Sequence, residues 1–321
     1  MEFKQLRYFK RVADTGSVSR AAAALSVAQP AVSRQIANLE ESLGTPLFFR
    51  NGRGVTLTEA GEHLYASADA ILESVRQAEQ GVRDSAGVAR GTVLIGSMPS
   101  VVRIVAPPLV RFVRKNHPEL DLEFTAGLSG YVNEWLSNGL LDVAIIHDAT
   151  RTQHFLTEPL VSEELVLVGI DGDKRPVTFQ AMSAMPLIVP RRAHGLRLQL
   201  ERVASQMRTS LNIRYEIDSI DAIKALVREG QGIAVMPRAA VSAKEGFSLQ
   251  PVTEPAIYRQ LLLATSSQRP VSQTTRVVIH ELKRQIKAML GTPEWPGAMR
   301  AGERLGGKPD PSPVVTIDQA A

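Results

Sequence analysis

Between Gly16 and Gly44 the chain carries two helix signatures separated by only three residues, and this spacing constrains the fold more than any other feature. Gly16 stops a first helix over residues 3–14, whose face of Phe3, Leu6, Phe9, Val12 and Ala13 recurs at helical spacing. Ser17 is placed to cap a short second helix that runs through Ala21–Leu25. Ser26-Val27-Ala28 reads as a tight turn. A third helix follows with Pro30 in its first turn, where a missing N–H costs nothing. Its apolar stripe is Val32, Ile36, Leu39 and Leu43, and Gly44 closes it. The Asn51-Gly52 step, between Leu47-Phe48-Phe49-Arg50 and Val55-Thr56-Leu57-Thr58, predicts a hairpin.

Two helices joined by a short turn, the second longer, describe a helix-turn-helix. Gln29, Pro30, Ser33 and Arg34 lie off the apolar stripe near the start of the third helix. Glutamine pairs bidentately with adenine and arginine with guanine, so these positions suit base edges in a major groove. Arg50 and Arg53 in the hairpin suit phosphates or a minor groove. Helix lengths alone equally permit a plain three-helix bundle with solvated Gln and Arg. Charge agrees with the first reading without deciding it, because basic surface clusters with no nucleic-acid role are common. Residues 1–58 hold eight basic side chains and four acidic ones, while the whole chain has a net charge of +4. The basic excess is therefore local, as in a nucleic-acid module attached to a neutral body.

Residues 59–88 predict one long helix with Gly61 and Gly81 as its weak points. Leu57, Leu64, Ile71 and Ala78 recur every seven residues, with Gly61, Ala68, Val75 and Val82 in step. Such a narrow seam suits a partner helix, and packing on its own domain is the alternative. From Thr92 onward strands and helices alternate, which indicates an α/β body. Val101–Lys115 predicts a helix interrupted at Pro107-Pro108. From Gly291 to residue 321 the chain is rich in Gly and Pro and poor in aliphatics, which predicts a disordered tail.

Several function classes drop out. The chain has no cysteine, so a disulfide framework, a thiol nucleophile and a Cys-based zinc site are excluded. The six histidines are dispersed, so no metal or cofactor is expected. No Gly-x-Ser-x-Gly elbow, Walker loop or His-Glu-x-x-His stands in the sequence, and His280-Glu281-Leu282-Lys283-Arg284 ends in Arg. An enzyme is not expected. The N-terminus has no apolar signal segment, and no run of about 18 apolar residues exists. A cytoplasmic protein without a membrane partner is expected.

The residues also carry a resemblance. Phe3-x-x-Leu6-x-x-Phe9, Gly16-Ser17-x-x-x-Ala21-Ala22-x-x-Leu25, Ala28-Gln29-Pro30-Ala31-Val32-Ser33, Ile36-x-x-Leu39-Glu40, Leu43-Gly44-x-x-Leu47-Phe48-x-Arg50 and Leu57-Thr58-x-Ala60-Gly61 together resemble the LysR-type transcriptional regulators. The match is dense over residues 1–65 and looser to about 290, where Gly230-Gln231-Gly232-Ile233-Ala234-Val235-Met236-Pro237 supports it. Arg50-Asn51-Gly52-Arg53-Gly54-Val55-Thr56-Leu57-Thr58 and the Gly91–Gly96 region look closest to the nitrogen-assimilation-control branch.

The resemblance implies an α/β protein in several parts. Residues 1–58 would form a winged helix-turn-helix that binds double-stranded DNA, and 59–88 a linker and dimerisation helix. Residues 92–290 would form a two-lobed effector-binding domain similar to periplasmic binding proteins. Lobe I would take 92–161 and 268–290, and lobe II 162–267. A homodimer or homotetramer on an inverted repeat follows.

The resemblance also implies an effector in the cleft between the lobes, an organic acid being one candidate. Ser97 and Met98 follow the first strand of the body, where a helix-start amide and a hydroxyl can hold an anion. Ser129 can do the same from the opposite loop, and His147 ends a buried strand in line with the cleft mouth. Val189, Pro190, Asp218 and Met236 end strands of the second lobe, and strand ends face the crevice in open α/β sheets. Core packing or loop capping explains these last four equally well. Two rivals remain: a regulator whose cleft holds no effector, and a free solute-binding protein. The basic N-terminal module argues against the second.

Overall fold

Helix caps and chain breaks set the order of the elements. The structure is a computed structural model that describes residues 1–51, 54–84, 90–147, 155–268 and 270–302, without the side chains of 50, 51, 77 and 80–84. It divides into two compact units, residues 1–86 with 138–140 and residues 87–137 with 141–321.

The first unit begins with α1 (Phe3–Thr15), which Gly16 ends in the left-handed conformation (φ 61°). Ser17 then caps α2 (Val18–Ala24), its hydroxyl accepting from the Arg20 N–H. After the turn, α3 (Gln29–Leu43) starts with a proline in its first turn and ends at Gly44, φ 69°. The antiparallel hairpin of β1 (Phe48–Asn51) and β2 (Gly54–Leu57) forms the wing. The Glu40 carboxylate ties wing to helix, accepting the N–H groups of Leu47 at 2.8 Å and Phe48 at 3.2 Å. The long helix α4 (Glu59–Asp84) follows, and the Thr58 hydroxyl accepts from Gly61 N–H at its start. Leu6, Phe9, Val12, Val32, Ile36, Leu39 and Leu47 form the core of this unit. Leu43, expected on the buried stripe, is instead 42% exposed, because the last turn of α3 runs past that core.

The heptad expectation needs revision over its first half. Leu57, Leu64 and Leu72 pack on the core of this unit, and Ala68 is fully buried in it. The reason is visible at Gly61, where a Cβ would stand 2.1 Å from the Leu47 carbonyl oxygen. The start of α4 is thus sunk against the wing instead of facing a second helix. Ile71 and Ala78, further along, remain exposed. Gly61→Ala is expected to destabilise this unit by about 1–3 kcal/mol through overpacking, read as a lower denaturation midpoint. An unchanged midpoint would mean that the wing yields freely.

The second unit opens with β3 (Gly91–Ser97), α5 (Pro99–Asn116), β4 (Leu120–Ala126), α6 (Ser129–Ser137) and β5 (Val143–His147). It continues with β6 (Phe155–Gly169), β7 (Val177–Thr178), α7 (Phe179–Ala184), β8 (Leu187–Val189), α8 (Gly195–Gln206), β9 (Ile213–Glu216), α9 (Ile220–Arg228) and β10 (Ile233–Pro237). It closes with β11 (Ser248–Thr253), β12 (Tyr258–Ser266), α10 (Gln273–Met289) and β13 (Ala298–Arg300). The strands run in the order β4-β3-β5-β12-β6-β10-β8-β9, with β11 and β13 also paired to β6. One lobe packs α5 and α10 on β3, β5 and β12, and the other packs α7, α8 and α9 on β8 and β10.

Three expectations change here. The helix expected to break at Pro107-Pro108 is continuous from Pro99 to Asn116. Val101, Val105, Leu109 and Val113, each four residues from the next, are buried in one core and hold both halves in line. The lobe boundary drawn at 267 also moves, since β12 pairs with β5 of the first lobe through Leu261–Ala264. β6 is shared: residues 155–164 pair with β12, and residues 165–168 pair with β10 of the second lobe.

The third change concerns the predicted disordered tail from Gly291. Residues 291–302 are folded, and Trp295 is fully buried in the first-lobe core. Its indole Nε1–H donates to Glu163 Oε1 at 2.6 Å. Glu163 Oε2 in turn accepts from Arg259 Nε at 2.5 Å, and Arg259 Nη2 donates to the Ser100 hydroxyl at 2.9 Å. β13 then pairs antiparallel with Val161–Glu163. Composition hid this, because one large aromatic ring supplies most of the burial of a segment otherwise made of Gly, Pro and polar residues. Residues 303–321 of that expected tail lie outside the described residues.

Candidate DNA interface and inter-lobe cleft

On α3 the buried stripe of Val32, Ile36 and Leu39 decides what is left outside. Gln29, Pro30 and Arg34 are exposed, and Ser33 is half-buried beside them. The N-cap residue, Ala28, makes no side-chain capping bond; Pro30 has no N–H and the Ala31 N–H donates to the Ala28 carbonyl at 3.0 Å, so of the first three residues of α3 only Gln29 keeps an N–H for an acceptor such as a phosphate. Arg53 and the side chain of Arg50 lie outside the described residues. Two other basic groups are already engaged. Arg20 Nη2 donates to the Thr15 carbonyl. Lys10 Nζ donates to Asp14 Oδ1 at 2.7 Å and Tyr65 Oη at 3.0 Å. Burial alone would lower the Lys10 ammonium, but the bonds to Asp14 and Tyr65 and the charge of Asp69 outweigh it and hold the pKa raised. This cluster pins α1 to α4, which leaves Lys10 a structural ion rather than a phosphate contact.

The second unit brings some of the expected cleft residues together and leaves others in cores. Ser129, the first residue of α6, accepts the Gly195 N–H at 3.0 Å, so the starts of α6 and α8 meet across the lobes. His147 ends β5 against the same glycine, where a Cβ would come within 2.8 Å of its ring. Its Nδ1 lies 3.1 Å from the Gln260 carbonyl oxygen. Asp218 reaches this point through the β8–α8 loop. It accepts the Arg191 N–H at 2.9 Å and the Arg191 Nε–H, and lies 3.3 Å from His194 Nε2. Its geometry to His194 suits an ion pair but not an aligned hydrogen bond. The ring of Tyr131 on α6 approaches His194 at 5.5 Å between centroids.

The remaining positions are held elsewhere. The Ser97 hydroxyl donates to the Ile145 carbonyl oxygen at 2.9 Å, and Met98 is buried in the first-lobe core at the N-cap of α5. Val189 and Met236 are buried in two separate second-lobe clusters, and Pro190 is buried next to Val189. Sequence reasoning passed over His194, Gly195 and Tyr131. Ala193-His194-Gly195 directly before a helix was the available signal, since only a glycine lets the chain approach His147 so closely.

Burial alone would raise the Asp218 carboxyl, but the backbone and side-chain bonds from Arg191 and the nearby His194 outweigh it and hold the pKa below the ordinary value. An unfolded aspartate titrates near ~3.9. The tie therefore stabilises the fold above about pH 4 and is lost as pH falls through the lower folded value. Asp218→Asn is expected to flatten the fall in melting temperature between about pH 5 and pH 3. Parallel slopes for the two proteins would refute this role.

A winged helix-turn-helix followed by a two-lobed α/β body defines a two-part regulator of the kind that couples DNA binding to a sensory domain. The family model described as "Bacterial regulatory helix-turn-helix protein, lysR family" matches residues 3–62, and "LysR substrate binding domain" matches residues 86–287. The chain belongs to the LysR family of transcriptional regulators. It is similar to the nitrogen assimilation regulatory protein nac of Escherichia coli (strain K12), with 33% identity over 284 residues, covering 87% of this chain and 93% of that protein. Among solved structures it is similar to full-length CbnR complexed with its target DNA (TM-score 0.68, 21% identity, 89% of this chain and 100% of that one). It is also similar to the effector binding domain of QuiR in complex with shikimate (TM-score 0.57, 21% identity, 62% of this chain and 98% of that one). At these identities the two structures establish the fold. Among the described residues no helix is long and apolar enough to cross a membrane.

Proposed function

We propose that this regulator binds an inverted-repeat promoter site as a homodimer or homotetramer, and that a small effector in the inter-lobe cleft modulates it. The observation that carries the reading is the exposed start of α3, where Gln29, Pro30 and Arg34 stand free above a fully buried stripe. Gln29, Ser33 and Arg34 read base edges, and Arg50 and Arg53 of the wing hold phosphates or the minor groove. The exposed Ile71 and Ala78 of α4 supply the surface for the second subunit. The likeness to nac supports a regulator of the nitrogen-assimilation-control type, without catalytic activity and working in the cytoplasm.

In the cleft, Ser129, His147 and Asp218 are the effector-facing groups, and Ser97, Met98, Val189, Pro190 and Met236 shape the walls behind them. The Gly195 N–H is an anion donor once a ligand displaces the Ser129 hydroxyl. The shikimate complex of QuiR supports an organic acid as the effector. Effector and DNA then share one coupling free energy, so each changes the affinity for the other by the same factor.

The test is capture of fragmented genomic DNA on the purified full-length protein at moderate salt, followed by sequencing. Enrichment of a two-fold symmetric motif, with half-sites about one helical turn apart, is the expected result. Retention without any motif would overturn the reading.

A further inference from the structure

Away from the inter-lobe contact at Ser129 and Gly195, a cavity of 570 Å³ opens on the second unit. Its walls come from three parts of the chain. Arg103, Ile104, Pro108 and Arg111 belong to α5, the stretch from Ala239 to Ala243 follows β10, and Pro293 to Pro296 belong to the folded C-terminal segment. α5 is a first-lobe helix, and the stretch after β10 leaves a second-lobe strand and crosses back, with Ala239 buried in the first-lobe core and Val241 in a second-lobe cluster. The segment that completes it is held in place by Trp295, buried between the two wall residues Glu294 and Pro296.

We propose that this cavity is a second ligand site, for a small anion with an apolar body such as a hydrophobic carboxylate or sulfonate. The volume falls in the range of small-molecule pockets, roughly 300–1,000 Å³. Ile104, Pro108, Val241, Met289, Pro293 and Pro296 supply apolar wall. Arg103 and Arg111 project from the same helix and carry the positive charge, with Glu294 as the one acid of the lining. Arg103 is held by a bond from Nη2 to the Ala239 carbonyl, which fixes the stretch after β10 on α5 and leaves its other N–H groups for an anion. Arg111 is exposed and forms no ion pair with another described residue. An apolar body against these walls with an anionic group on the arginine fork matches the lining in both polarity and charge.

A ligand seated there lies against first-lobe residues and against Val241, which packs in a second-lobe cluster. The site is independent of the cleft, so its fate does not hang on the cleft reading.

The experiment uses the full-length protein and 1-anilinonaphthalene-8-sulfonate, an apolar dye with one sulfonate, followed by fluorescence titration. The dye is expected to saturate with a defined dissociation constant. Arg111→Glu and, separately, Ala243→Trp, which fills the cavity, are each expected to weaken it at least tenfold. The cleft variant Ser129→Ala is expected to leave the constant unchanged. Circular dichroism melts of the variants establish that they are folded. If both cavity variants fold and bind the dye as the parent does, the proposal is overturned. Weaker binding in Ser129→Ala alone would place the dye in the cleft and overturn it equally.

Discussion

Trp295→Ala is expected to cost about 3–5 kcal/mol in the stability of the second unit, the range for deleting a large buried aromatic. The ring is fully buried among first-lobe residues that include Leu282, Ile286 and Ala298. Its N–H is also a partner of Glu163, a carboxylate only 1% exposed. Removing the indole therefore leaves a cavity and withdraws a donor from a buried charge that Arg259 must then balance alone. Trp295→Phe separates the two effects. It restores most of the packing and loses only the donor, for which about 1–3 kcal/mol is expected. Urea denaturation followed by far-ultraviolet circular dichroism reads both values. A Trp295→Ala protein with the parent's midpoint would show that residues 291–300 contribute nothing to the core.

The second large effect concerns DNA. Gln29→Ala is expected to lower discrimination at one position of each half-site by about 1–3 kcal/mol, roughly a factor of 5 to 150, while binding to unrelated DNA stays level. Gln29 is exposed at the first residue of α3, and its truncation touches no core contact. Competition among single-base variants of a half-site, at one fixed salt concentration, measures the change. If Gln29→Ala kept the parent's full sequence preference, another element would have to read the bases.

The parts of this molecule that were legible in the sequence are those written in local chemistry. Gly16, Ser17, Pro30 and Gly44 each do a backbone job that depends only on near neighbours, so the helices of the first unit fall where these residues put them. The site on α3 was legible for the same reason, since three buried aliphatics on one face of a helix define the other face. What escaped depends on distant partners. Pro107-Pro108 reads as a break until the four buried residues on the far face of α5 are placed on α10 and the sheet. The first half of the heptad seam reads as open to a partner helix until Gly61 is found against Leu47. The cleft was legible only in outline. Strand ends point to it, but Val189 and Met236 turn into cores while His194 and Gly195, at a helix start, carry the contact.

The order in which the first lobe collects its pieces has a consequence for synthesis. Among the described residues, the hydrophobic core of the first unit draws on none beyond Leu72. The first-lobe core, by contrast, joins Val93 and Ile95 to Leu261, Val278 and Trp295. On the ribosome the helix-turn-helix is therefore free to fold while the body is still being made, whereas the first lobe has to wait until residues up to 298 have emerged. For that interval the nascent chain presents a finished DNA-binding head on an unfinished sensor. Chaperones that shield exposed apolar strands meet β3 and β5 long before β12 arrives to cover them.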